Sequence, residues 1–169
     1  TFAVQFARFF KADVTAVCST RNVDMVRSLG TDRVVDYTRE DFTRDRQRYD
    51  LILDLVGNHT LSERRRALTA DGTLVMIGAP DEGRWLGPLA GILKAVVVSR
   101  FVSQKLRLFL AHSSKDDLIL MRELIEAGTV TPVIDRSYPL SGVPEAIRYL
   151  EEGHARGKVV ITMGDRGDI

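Results

Sequence analysis

The sequence predicts an α/β fold, a doubly wound parallel sheet with helices between its strands. Three observations carry that expectation. Short apolar runs alternate with amphipathic stretches at the spacing of βαβ units. The strand candidates, Leu51–Leu55 above all, lack strict two-residue alternation, as suits a sheet covered on both faces. Glycines close several segments, with Gly30 and Gly128 after helix patterns and Gly78 after a strand pattern.

Taken in order, Phe2–Lys11 reads as a helix with Phe2, Phe6, Phe9 and Phe10 on one apolar face and Gln5, Arg8 and Lys11 outside it. Val14–Cys18 is a β-branched run and a buried strand. Ser19 or Thr20 then caps a helix whose inward side holds Val23, Val26 and Leu29. Strands are expected at Arg33–Asp36, Leu51–Leu55 and Gly72–Ile77, with a helix at Leu61–Leu68. Beyond Gly78 the rhythm breaks: Pro80–Gly91 reads as a loop and Leu93–Phe101 as an apolar, helix-like segment. Lys105–Ala111 is a strand candidate. Asp116–Ala127 is a helix with Leu118, Met121, Leu124 and Ile125 on one side. Val133–Tyr138 is a strand, Val143–Glu152 a helix opened by Pro144, and Lys158–Thr162 the last strand.

Composition narrows the function classes. A length of 169 residues suits one ordinary domain, and 44% hydrophobic with 28% charged residues is globular rather than disordered. A net charge of +1 gives no electrostatic reason to expect nucleic acid or an anionic membrane as partner. The single cysteine, Cys18, forms no internal disulfide, which fits a reducing, cytoplasmic compartment. No Cys/His cluster has zinc-site spacing, and His59, His112 and His154 read as surface or satisfied histidines. The most apolar run, Trp85–Val102, contains Gly87, Pro88, Gly91, Lys94 and Arg100, too many interruptions for an ordinary spanning helix.

In a dinucleotide fold the end of the second strand selects the ribose: an acid there binds the 2′-hydroxyl of NAD, whereas basic or small polar residues admit the 2′-phosphate of NADP. Counted from the phenylalanine-rich helix, Val14–Cys18 is that strand, and it runs into Ser19-Thr20-Arg21 with no carboxylate. Two hydroxyls, a guanidinium and a helix N-terminus could receive a phosphate. Helix capping by Ser19 or Thr20, with Arg21 solvated, explains the same residues equally well.

Val14-Thr15-Ala16-Val17-Cys18-Ser19, Leu29-Gly30-Thr31-Asp32, Val35-Asp36-Tyr37 and Asp50-Leu51-Ile52-Leu53-Asp54-Leu55-Val56-Gly57 stand in an order that resembles the cofactor domain of the zinc-free quinone oxidoreductase branch of the medium-chain dehydrogenase/reductase superfamily. Gly153-His154-Ala155-Arg156-Gly157-Lys158-Val159-Val160-Ile161 resembles that family's closing motif. The resemblance covers nearly the whole chain. It implies a Rossmann-like sheet lacking its first strand and glycine-rich phosphate loop, and it divides the chain into an incomplete NADP-binding domain (1–128), a strand-helix-strand returning toward an absent catalytic domain (129–163) and a tail (164–169).

The resemblance also implies roles. Ser19 and Tyr37, with Arg21 beside them, hold the 2′-phosphate and adenosine end of NADPH. Val56, Gly57, Ile77, Gly78 and Ala79 lie where the cofactor passes the strand ends. Phe109 and Ala111 flank the nicotinamide, and Arg156, Gly157 and Lys158 close on the cofactor. Each has a plainer role available: strand cap for Tyr37, turn glycine for Gly57 and Gly78, core for Phe109, solvated strand start for Lys158. No residue is an evident general acid, so no catalytic residue is assigned, and no metal is expected. The implied function is NADPH-dependent reduction of a quinone, alkenal or enone by hydride transfer. A non-catalytic nucleotide-binding or interaction module is the alternative, since folds host functions without turnover. A methyltransferase would favour an acid where Cys18 and Ser19 stand. A homodimer is expected through the edge strand 105–111, with Leu93–Phe101 adding buried area.

Overall fold

The computed structural model describes residues 1–77, 103–109 and 114–164. Pro80–Gly91, Leu93–Phe101 and the site candidates Gly78, Ala79 and Ala111 lie outside the described residues, as does His112. The strands are β1 Thr15–Cys18, β2 Arg33–Asp36, β3 Tyr49–Asp54, β4 Leu68–Ile77, β5 Lys105–Phe109, β6 Ile134–Pro139 and β7 Lys158–Thr162. The helices are α1 Phe2–Phe9, α2 Val23–Ser28, α3 Leu61–Ala67, α4 Lys115–Glu126 and α5 Val143–Glu151. The chain is α/β, and every strand pairing among the described residues is parallel. No helix among them is long and apolar enough to cross a membrane.

Hydrogen bonding divides the strands into three sets, β1-β2, β3-β4-β5 and β6-β7. By packing, Thr1–Thr38 with Ser114–Ile169 forms one compact unit and Arg39–Ser113 another. Among the described residues the strands expected in a single sheet are therefore hydrogen-bonded in three separate sets.

Within the first unit, Val35 at 0% exposure, Val26, Leu124, Val130 and Ala146 are buried. α1 differs from its expected orientation. Phe9 and Phe10 are exposed, and the buried residue of the helix is Gln5. Its side-chain amide donates to the carbonyl of Thr131 at 2.9 Å and accepts from the Thr131 N–H at 2.7 Å. A buried amide with both ends paired costs little, whereas an unpaired backbone pair at Thr131 would cost much.

In the second unit, β4 begins at Leu68, directly after α3, and is longer than the Gly72–Ile77 run that the sequence predicts. The β3–β4 register shifts between Tyr49 and Leu51. Leu68, Leu74 and Ala67 are buried, but Leu51 and Leu53 of β3 are exposed although fully apolar. The sequence pattern predicts cover on both faces; among the described residues the face of β3 that carries Leu51 and Leu53 is not covered.

Candidate cofactor site

The end of β1 is the natural starting point. Ser19 is extended, and Thr20–Asn22 forms a 3-10 turn before α2. Neither hydroxyl caps the helix, contrary to the capping expectation. Ser19 Oγ instead accepts from the Asn22 side chain at 3.3 Å. Thr20 Oγ1 donates to Asp36 Oδ2 at 2.6 Å. Thr38 donates to the other Asp36 oxygen through its backbone N–H (3.0 Å) and its hydroxyl (2.8 Å). Asp36, only 9% exposed, thus fastens the turn after β1 to the end of β2. Burial, and then the Asp36 charge, push the Cys18 thiol above its ordinary value, so Cys18 is a protonated neighbour at neutral pH. Tyr37 follows with its ring exposed.

The closing segment meets this turn. Arg156 Nε donates to Asn22 Oδ1 at 3.0 Å, and its NH2 group donates to the Arg21 carbonyl at 2.9 Å. Arg21 NH2 donates in return to the His154 carbonyl at 2.6 Å. Ser19, Arg21 and Arg156 are therefore brought together from positions about as far apart in sequence as this unit allows. Both guanidiniums hydrogen-bond neutral oxygens, and the Asp135 carboxylate, which takes the Arg156 N–H, is the nearby negative charge that Arg156 feels. Two guanidiniums beside a hydroxyl, neither engaged in a direct ion pair among the described residues, form a donor set suited to an anion.

Gly157 has a steric role. A Cβ there would lie 2.4 Å from the Val133 carbonyl oxygen, which accepts the Lys158 N–H at 2.7 Å. Only glycine permits that approach. The Lys158 ammonium stands 5.2 Å from the ring centroid of Phe2, at the N-terminus of α1. That helix end is itself attractive to anions.

In the second unit, Val56 and Gly57 follow β3. Gly57 has φ 78°, which favours glycine. Asp54 Oδ1 accepts from the Gly57 N–H at 2.9 Å, and Asp54 Oδ2 forms an ion pair with Arg64. Arg64 Nε also donates to the His59 carbonyl at 2.9 Å, so one guanidinium holds both sides of the loop. The α3 terminus is a capping box between Thr60 and Glu63. His59 lies 3.3 Å from Asp41 and edge-on to Phe42. Ile77 ends β4, and Phe109, exposed, ends β5 opposite it in register. Among the described residues no group of three or more His, Cys, Asp or Glu side chains could hold a metal.

A family model described as zinc-binding dehydrogenase matches residues 29–161. The mitochondrial NAD(P)H oxidoreductase RTN4IP1 of Mus musculus is 36% identical over 96% of this chain and 45% of its own length. The chain belongs to the quinone oxidoreductase branch of the medium-chain dehydrogenase/reductase superfamily. An NADPH-dependent alkenal/one oxidoreductase of Arabidopsis thaliana, chloroplastic by name, is 32% identical over 95% of this chain and 37% of its own length. The structure of a quinone oxidoreductase from Coxiella burnetii superposes with TM-score 0.76 at 25% identity, over 95% of this chain and 48% of that one. The chain spans about half the length of the curated relatives it matches.

Asn22, Arg64 and Asp135 stand outside the motifs legible in the sequence, and Asp36 stands within one without a role assigned to it. Asp36 carried a local signal, because Asp-x-Thr allows the carboxylate to take the N–H two residues on. Asp135 carried none, since its partners Tyr149 and Arg156 lie 14 and 21 residues away.

Proposed function

We propose that this chain is the cofactor-binding part of an NADPH-dependent oxidoreductase that reduces a quinone, alkenal or enone. The observation that carries the reading is the meeting of Ser19, Arg21 and Arg156 at the end of β1, with both guanidiniums hydrogen-bonded to neutral oxygens. A ribose 2′-phosphate is the part of NADPH that NADH lacks, and such a donor set favours it. The names of the relatives support a nicotinamide cofactor in general terms.

The donors present fit the group. Bound, the cofactor would supply a hydride to an electron-poor carbon. Ser19 and the two arginines would take the 2′-phosphate, with Tyr37, exposed beside them, available to the adenosine end. Lys158 adds positive charge near the start of α1. Of the candidates for the nicotinamide end, Val56, Gly57, Ile77 and Phe109 stand at or just after the ends of β3, β4 and β5 in the second unit. Steady NADPH oxidation with a quinone is not expected of the 169-residue chain, and its absence in an assay of the purified chain checks this. The single cysteine suits a reducing compartment; cytoplasm and mitochondrion both qualify.

Fluorescence titration tests the cofactor assignment: NADPH should bind more tightly than NADH, and Ser19→Asp should weaken NADPH about tenfold by like-charge repulsion while sparing NADH. Equal affinities, or a preference for NADH, would favour a second reading in which the Asp36 carboxylate serves ribose hydroxyls. Assembly is a further part of the proposal. Among the described residues β5 is paired on one side, by β4, and pairing its other edge with a second copy would satisfy backbone groups there. Light scattering should find a dimer at micromolar concentration, and Leu108→Pro should dissociate it by removing a ladder donor.

A further inference from the structure

The guanidinium of Arg156 is placed by a short segment with few fastenings. Between α5 and β7 the chain runs through Gly153, whose φ is 70°, to Gly157, with no helix or strand to hold it. Its backbone is tied at four points: Gly153 N–H to the Leu150 carbonyl (3.0 Å), the His154 carbonyl to the Arg21 guanidinium (2.6 Å), Lys158 N–H to the Val133 carbonyl (2.7 Å), and Arg156 N–H to Asp135 Oδ2 (2.9 Å). Two of these ties are made by side chains, and of the two the Asp135 tie acts on the Arg156 backbone itself. The same Asp135 oxygen accepts the Tyr149 hydroxyl at 2.5 Å, from α5. The Arg136 guanidinium covers the Tyr149 ring at 3.8 Å and holds that face. Asp135 takes the amide of Arg156 and leaves its guanidinium to cross to Asn22 and Arg21.

We infer that Asp135 and Tyr149 are positioning residues for Arg156, and through it set the affinity of this site for a ribose 2′-phosphate. The inference rests on the NADPH reading above. The Tyr149 hydroxyl, and then the Arg156 amide, hold Asp135 below the usual carboxylate range, so the acceptor is ionised at neutral pH. Losing either partner lets the segment relax, and a long arginine side chain then loses its aim.

The test uses adenosine 2′,5′-bisphosphate and 5′-AMP, titrated by calorimetry into the 169-residue chain. The readout is the ratio of the two affinities, which general loosening of the fold leaves alone because both ligands share the adenosine. Wild type should prefer the bisphosphate. Asp135→Ala should reduce that preference about tenfold and Tyr149→Phe about threefold, in line with the loss of charge-assisted hydrogen bonds. Asp135→Asn, which keeps an oxygen acceptor, should recover part of it. Arg156→Met should remove the preference, and adding Asp135→Ala to it should change nothing more. If Asp135→Ala does not fold by circular dichroism, the Tyr149→Phe and Asp135→Asn ratios decide. An unchanged ratio in the Asp135 and Tyr149 variants, with Arg156→Met still losing the preference, overturns the positioning role and leaves the cofactor reading standing. Equal weakening of both ligands also overturns it. No preference in wild type overturns the cofactor reading and the inference with it.

Discussion

Arginine and aspartate recur in the turn after β1 and in the loop after β3, and their pairing differs in kind. After β3, Arg64 is spent on Asp54, with side chains only 12% and 13% exposed, and its remaining donors go to the His59 carbonyl. After β1, Arg21 and Arg156 find carbonyl and amide oxygens, while Asp36 is satisfied by threonines and Asp135 by a tyrosine and an amide. The first arrangement neutralises charge inside the protein. The second holds its two guanidiniums by neutral oxygens rather than by a direct ion pair. A paired arginine shapes a loop; an arginine held by neutral oxygens is still able to bind an anion.

The sharpest way to break this comparison is Arg64→Ala. It leaves the Asp54 carboxylate largely buried without its cation, and should destabilise the protein by about 3 kcal/mol. Urea denaturation measures the loss. Replacing Asp54 with Asn in the same chain should recover part of it, because no uncompensated charge remains. Arg21→Ala, which breaks no ion pair, should leave stability nearly unchanged, and an equal loss there would erase the distinction between the two regions.

Gly157→Ala comes next. The added methyl meets the Val133 carbonyl, so backbone must move and the Lys158–Val133 bond must lengthen or break. A cost of about 2 kcal/mol is expected, as for other overpacked sites. The effect should also appear in 2′-phosphate binding, since Arg156 is the adjacent residue. A variant of wild-type stability and affinity would show that the close approach is relaxed at no cost.

The sequence made some of this legible. β2 and β7 occupy Arg33–Asp36 and Lys158–Thr162, as their runs of β-branched residues predict, and the other described strands and helices lie near their expected places. Ser19, Arg21 and Arg156 were singled out by motif, and the structure brings them together. Three things were not legible, each for a physical reason. Gln5 is buried because Thr131, far along the chain, offers it a complete backbone pair, which no periodicity reports. Thr20 turns its hydroxyl to Asp36, sixteen residues on, a tertiary partner that the local capping pattern does not report. The division of the described strands into three sets depends on which strands pair, whereas an apolar run shows only that a strand forms.

The smallest effect concerns Asp32, which sharpens the comparison by offering an exposed ion pair as a third case. Its carboxylate accepts the Val14 N–H at 2.7 Å and faces Arg8 at 3.2 Å, with both side chains nearly half exposed. The Val14 amide is the main cause of its lowered pKa, ahead of Arg8. A carboxyl whose folded value lies below its unfolded one, roughly 4, stabilises fully above that value and loses the contribution as pH falls through the folded one. Asp32→Asn should therefore be destabilising at neutral pH, and its difference from wild type should shrink on acidification to about pH 3. Because the amide bond outweighs the ion pair, added salt should change the neutral-pH difference little, whereas a surface ion pair would be screened. Denaturation of both proteins at the two pH values, with and without salt, measures this. A difference that persists at low pH would mean that packing by Asp32, rather than its charge, ties β1 to the turn before β2.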